Sequence, residues 1–314
     1  MRDARSHVEL ERTSSAAGGF RYTVNGMKVT LLNDVLFKVV FGSQRHSEAL
    51  RGLLNAILGL QGVHRIAEIT LLNPLREKEY LHDKGTILDV KARDGQGCVY
   101  NIEVQLQEQT AYRERSLYYA ANLIGAQIEA GEDYRELKPT IHISIVDFVL
   151  FEDFEDLHSI YRLYDNKHDR TLGDLLELHY VEIAKFDKQP GDELADPMER
   201  WLYFLRQATS YEEVADLPQM LQREEGMITA MKATQTALSN DEVRWAIEAR
   251  QKWERDRITA LNVAVEEGEA RGRAEGRAEG EAESAKRIAK ELLALGQSED
   301  VVFRATGLRS SDLE

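Results

Sequence analysis

Residues Gly85–Gln107 read GTILDVKARDGQGCVYNIEVQLQ, two alternating runs joined by a glycine turn. In the first run Leu88, Val90 and Ala92 share one face while Asp89, Lys91 and Arg93 take the other. In the second, Tyr100, Ile102, Val104 and Leu106 oppose Asn101, Glu103, Gln105 and Gln107. A period of two predicts strands, and the turn cluster Asp94-Gly95-Gln96-Gly97 predicts an antiparallel hairpin, because glycine takes positive φ without a Cβ clash. A three-residue loop, 95–97, sets Asp94 opposite Cys98 and Asp89 opposite Glu103. A loop of two or four residues puts those carboxylates on opposite faces, so a shared site requires an odd loop or a bulge, with Gly97 suited to the left-handed position.

Two carboxylates facing each other across a ladder, about 5 Å apart with no cation between them, destabilise the pair by about 0.2–1 kcal/mol. Two readings account for them. A solvated sheet face carries alternating polar residues as a matter of routine. A hard-cation site uses one or two carboxylates together with water and substrate phosphate, and Mg²⁺ prefers that donor set.

Outward from the hairpin, the spacing of Leu32, Leu36, Phe37, Val40 and Phe41 predicts a helix with Asp34 in its first turn and Gly42 as its stop. A second helix is expected over Ser47–Leu58. Strands are expected at 66–73, 85–93 and 98–106, then a helix from Ala111 to Ala130 ended by Gly131, and a β-branched buried strand over Thr140–Phe148. Runs at 157–164 and 177–186 are candidates to extend the sheet. The fold class is therefore α/β, a mixed sheet in the order ααβββαβ flanked by helices and followed by a helical C-terminal region.

The spacing of Asp89, Glu103 and Gln105, with the segments LLNDVLFKVVFG, LLNAILG, RSLYYAANLIGAQIEAGEDYRELKPTIHISIVDF and LELHYVEIAKF in order along the chain, resembles the PD-(D/E)xK nuclease superfamily. More narrowly it resembles the Rpn family of recombination-promoting nucleases, also described as nuclease-family transposases. The resemblance implies a restriction-endonuclease-like core, a divalent cation (Mg²⁺, or Mn²⁺ or Ca²⁺) and DNA as partner. It implies that Asp89 and Glu103 are metal ligands, that Asp34 is the helix acid completing the site, and that Gln105 stands where the superfamily has lysine. Such a lysine stabilises the attacking hydroxide and the charge developing on phosphorus, whereas an amide only orients water or phosphate. Lys91, on the same face as Asp89, is a candidate for the missing cation and equally reads as a surface lysine. The main-chain carbonyl of Val104 is a further candidate ligand. On the 111–130 helix, Arg115 and Gln127 are candidates to face nucleic acid, against the plainer reading of a helix packed on the sheet with exposed arginines.

The length admits one large or two medium domains. No apolar run approaches the roughly 20 residues needed to cross a bilayer, and the single Cys98 excludes an intrachain disulfide or a cysteine-based zinc site. A cytoplasmic location is the expectation. The net charge of −15 argues against a phosphate-binding protein until its distribution is considered. Residues 31–148 carry 13 Lys and Arg against 16 Asp and Glu, while residues 149–240 carry 9 against 19, so the acid excess falls mainly outside the hairpin region.

Five regions follow: a mobile arm at 1–26, a nuclease-like domain at 27–190, a helical region at 191–265, a Gly-spaced helical connector at 266–283 and a small helix-turn-helix-like tail at 284–314. In the connector Gly268, Gly272, Gly276 and Gly280 recur every fourth residue, each costing a helix about 1 kcal/mol relative to alanine. They suit close helix approach or a solvated connector held by pairs such as Arg277 and Glu281. The tail is too short and too acidic to read a DNA groove, so packing or homo-oligomer formation through the C-terminal helices is expected. The function expected is a metal-dependent DNA endonuclease of low sequence specificity in recombination or transfer. The alternative is a catalytically weak nucleic-acid-binding or assembly protein that keeps the nuclease fold.

Overall fold

The computed structural model describes residues 10–14, 20–24, 27–73 and 89–313. Its hairpin closes in the odd register. Strands β5 (Val90–Asp94) and β6 (Val99–Gln105) pair antiparallel with Lys91 opposite Asn101 and Ala92 opposite Tyr100. The Asp94 amide donates to the Cys98 carbonyl at 3.1 Å, and Gly97 takes φ of 92° inside the three-residue loop. Extending this register by one residue places Asp89 opposite Glu103. The first half of the expected 85–93 strand, residues 85–88, lies outside the described residues.

The hairpin sits within a six-stranded mixed sheet. From one edge the order is β4 (Ile69–Leu71), β5, β6, β7 (Thr140–Val146), β11 (Leu176–Glu182) and β8 (His158–Arg162). The β6–β7 and β7–β11 pairs are parallel and the others antiparallel. A short β9–β10 hairpin (Tyr164–Asp165 and Arg170–Thr171) intervenes before β11. A parallel neighbour needs a crossover, and α3 (Tyr112–Gly125) supplies it between β6 and β7. This helix is shorter than the 111–130 span expected, because the chain leaves it after Gly125 and turns at Gly131, where φ is 98°.

The two sheet faces differ in chemistry. One carries Ile102, Val104, Ile143, Ile145 and Val181 against α1 (Asp34–Phe41), α2 (Ser47–Ile57), α4 (Pro197–Gln207) and α6 (Met227–Ser239) in one apolar core, which also takes Leu221 of the short α5 (Gln219–Gln222). Phe37, Phe41, Leu50, Trp201 and Phe204 are fully enclosed there, each stabilising by about 1.5–3 kcal/mol relative to exposure. The Asn33 side chain caps α1 by accepting from the Leu36 amide at 3.1 Å, which fixes where that helix begins. The face under α3 is different, since Asn101, Glu103, Thr140, His142 and Ser144 are all buried there. Of the two readings of this face, the solvated one gives way to an enclosed polar layer.

Residues 10–14 and 20–24, expected as part of a mobile arm, form strands β1 (Leu10–Ser14) and β2 (Phe20–Val24), which pair antiparallel and continue to β3 (Met27–Lys28). The chain divides into two compact units, residues 1–251 and 252–314, and α7 (Asp241–Ala294) contributes to both. In the second unit α8 (Glu299–Thr306) follows a turn at Gly296 and stops at Gly307, both with positive φ. The connector expected at 266–283 is helical throughout.

Candidate active site

Asp89 stands at the entrance to β5 and its backbone is held from two directions. The Asn73 amide donates to the Asp89 carbonyl at 3.2 Å and its Oδ1 accepts from the Lys91 amide at 2.7 Å. Lys38, from α1, donates through Nζ to the same Asp89 carbonyl and, at 3.1 Å, to that of Asn73. An ammonium buried at 6% exposure in a helix otherwise facing the apolar core is costly unless its donors are used, and here two main-chain carbonyls use them. The Lys91 ammonium lies 3.3 Å from Asp89 Oδ2, on the face expected of it.

Glu103 is 1% exposed. Its Oε1 accepts from Gln105 Nε2 at 2.7 Å and from Arg115 Nη2 at 2.9 Å. Its Oε2 takes no hydrogen bond from any described residue, the imidazole of His142 lying 4.0 Å away. Burial pushes the Glu103 carboxyl above its ordinary value, against the opposing charge of Arg115 and the hydrogen bond from Gln105. Burial, followed by the charge of Arg115, pushes His142 down to about 4. The neutral ring accepts from the Asn101 amide at Nδ1 (3.0 Å), which leaves its proton on Nε2, 3.2 Å from Ser144 Oγ.

Around Glu103 the polar side chains close a ring. Gln105 Oε1 accepts from Gln109 Nε2 at 3.2 Å, Gln109 Oε1 accepts from Arg115 Nη1, and Arg115 returns to Glu103. The Arg115 guanidinium also lies over the Tyr112 ring, 5.0 Å from its centroid. Two buried polar atoms in this layer, Asn101 Oδ1 and Arg115 Nε, have no hydrogen-bond partner among the described residues. The chain reaches this arrangement through Ala111, which takes the left-handed conformation (φ 58°, ψ 34°) just before α3 and turns Tyr112 and Arg115 back over β6.

Asp34 pairs with Arg250 Nε at 2.7 Å and lies one helical turn before Lys38. Val104 lies between Glu103 and Gln105 on β6, and the residue facing it, at position 88, is outside the described residues. Gln127 directs its amide to the main chain of Lys138 and to Thr140 Oγ1 at 2.8–3.0 Å, tying the loop after α3 to the start of β7. Arg115, expected to face nucleic acid, pairs with Glu103. Lys38, Asn73, Gln109, Tyr112 and His142 were not singled out in the sequence. Lys38 carried the clearest signal, a lone lysine among Leu36, Phe37, Val39 and Val40.

Among the described residues no three His, Cys, Asp or Glu side chains gather closely enough to form a metal cage. Two opposed carboxylates, one with an oxygen that takes no hydrogen bond from a described residue, fit a hard cation that completes its shell with water and phosphate.

The model of the PD-(D/E)XK nuclease family transposases matches residues 31–264. The chain belongs to this family. No curated protein and no solved structure matches it. The match spans the sheet, the helices on its apolar face and the hairpin that carries Asp89 and Glu103. Nuclease-type function follows from membership, and nucleases of this class typically use divalent metal ions. Among the described residues no helix is long and apolar enough to cross a membrane.

Proposed function

We propose that this family member is a Mg²⁺-dependent DNA endonuclease of low sequence specificity, serving recombination or DNA transfer in the cytoplasm. The observation that carries the reading is the β5–β6 register, which extended by one residue sets Asp89 opposite Glu103, with Glu103 held through one oxygen and its other taking no hydrogen bond from any described residue. Asp89 and Glu103 would hold the cation, with the Val104 carbonyl and Asp34 as further ligands, Asp34 after giving up Arg250. A cation so held supplies Lewis acidity to the scissile phosphate and lowers the pKa of a water molecule. The chain's own part is to fix those carboxylates through Lys38, Asn73 and Gln105 and to keep the layer beneath α3 out of bulk water. In hydrolysis the water oxygen bonds to phosphorus in line and gives up a proton to solvent, the opposite P–O bond breaks, and the leaving oxygen takes a proton from solvent. A helix as short as α8 is poorly suited to groove reading, which supports low specificity.

Gln105 favours a second reading, a weakly catalytic DNA-binding protein that self-associates through α7 and α8. Nicking of supercoiled plasmid with Mg²⁺, Mn²⁺ or EDTA separates the two, using the wild-type chain beside Asp89→Ala and Glu103→Ala. Metal-dependent nicking lost in both variants is the expected result; no nicking by wild type overturns the nuclease reading.

A further inference from the structure

We propose that Arg115, carried by α3, is the positive charge of the active site and delivers from the helix what a lysine at position 105 delivers in the resembling nucleases. The assignment rests on the nuclease reading above.

Convergence on one atom supports it. The tip of residue 105 reaches Glu103 Oε1 at 2.7 Å, and the Arg115 guanidinium reaches the same oxygen at 2.9 Å. Two donors on one carboxylate oxygen are neighbours, so the charge of Arg115 sits beside the place where the end group of a longer residue at 105 arrives. Gln105 is neutral and its amide is already spent on Glu103 and Gln109. Arg115 is the charged member of the ring.

Lys91 is the competing cation. Its ammonium is 37% exposed and is turned to Asp89 Oδ2, whereas the Arg115 side chain is 22% exposed and its partner carboxylate 1%. Charge in the drier position is less screened and acts more strongly on a neighbouring phosphate. A guanidinium offers five N–H donors in a planar fork, of which Glu103 and Gln109 take two. The fork is the geometry suited to phosphate oxygens. The Tyr112 ring under the guanidinium and the Gln109 carbonyl hold its plane, so its placement does not depend on DNA being present.

The test uses the full chain in four forms, wild type, Arg115→Met, Arg115→Lys and the double variant Arg115→Met with Gln105→Lys. Single-turnover plasmid cleavage in Mg²⁺ is read beside Mn²⁺ affinity by titration calorimetry, with circular dichroism to confirm folding. Arg115→Met is expected to lose cleavage at least 100-fold while binding Mn²⁺ as tightly as wild type or more tightly, since a repelling charge is gone. Moving the charge to position 105 in the double variant is expected to recover cleavage at least tenfold over Arg115→Met. Arg115→Lys, which keeps the charge, is expected to lose 3- to 30-fold, and it decides the matter should Arg115→Met not fold. Cleavage by folded Arg115→Met within threefold of wild type overturns the assignment. So do Mn²⁺ binding weakened more than threefold in that variant, a double variant no better than it, and complete loss in Arg115→Lys. A wild-type chain that binds Mn²⁺ and cleaves nothing overturns the nuclease reading itself.

Discussion

Arg115 and Glu103 meet at 2.9 Å between α3 and β6, and Glu103 is almost completely enclosed. Removing one member of a buried pair leaves the other charged and unpaired, which costs about 3–5 kcal/mol. Glu103→Ala is therefore expected to destabilise the metal-free chain by about 3 kcal/mol. Glu103→Gln keeps an acceptor for Gln105 and Arg115 and is expected to cost no more than about 1.5 kcal/mol. Urea denaturation of the two variants measures the difference. Equal losses would mean that Arg115 finds another partner or water when Glu103 is gone.

Lys38 fixes Asp89 through the main chain, so its role separates from that of the carboxylates. Lys38→Met nearly preserves volume and removes the donor to the Asp89 and Asn73 carbonyls. The loss of hydrogen bonds from a charged donor is expected to cost about 1.5–3 kcal/mol, and cleavage is expected to fall at least tenfold as the entrance to β5 loosens. Amide exchange at Lys91, whose N–H is bonded to Asn73, should accelerate in the same variant. Unchanged protection there would show that Asn73 alone holds the strand.

The hairpin was legible because its information is local: a period of two and an odd loop with a left-handed glycine set Asp89 opposite Glu103. The enclosure of Glu103 was not legible, because it depends on a helix whose inward residues, Tyr112, Arg115 and Ser116, are themselves polar or amphipathic and give no apolar stripe. Alternation therefore left a wet face and a cation site equally open, where the structure has a dry polar layer. The Arg115 contact joins residues 12 apart across a turn that a left-handed alanine makes, and no propensity announces that turn. At the N-terminus, Ser, Ala and Gly obscured the alternation of Phe20, Tyr22 and Val24 against Arg21 and Thr23, which is the pattern of β2.

Acid sensitivity is expected from the far edge of the sheet. His158 Nε2 lies 3.0 Å from His179 Nδ1, and His179 Nε2 lies 3.1 Å from Glu177. Burial, then the neighbouring His179, pushes His158 down to about 4, and burial also lowers His179. Each ring is thus neutral in the fold over a range where the unfolded chain would bind a proton. The associated stability is fully present above pH about 6.5 and is lost as pH falls toward 4, by about 1–2 kcal/mol for His158 once its partial exposure is discounted. Thermal melts from pH 7.5 to 4.5 should show this slope, reduced in His158→Gln. An unchanged slope would place the acid response elsewhere.

The glycines of α7 make the sharpest contrast between helix stability and contact. A Cβ added at Gly268, Gly272, Gly276 or Gly280 would meet nothing within 4 Å, so nothing within the described chain requires glycine at these positions. Each Gly→Ala change removes backbone entropy from the unfolded state and should stabilise the helix by about 1 kcal/mol. In a chain that acts alone, Gly272→Ala with Gly276→Ala is expected to raise helicity and the melting temperature without altering its sedimentation. Where a second copy packs closely along this stripe, the added methyl groups obstruct the approach, and the same variant loses oligomer as its helicity rises. Sedimentation velocity beside circular dichroism on that one variant therefore separates the solvated connector from the packing surface.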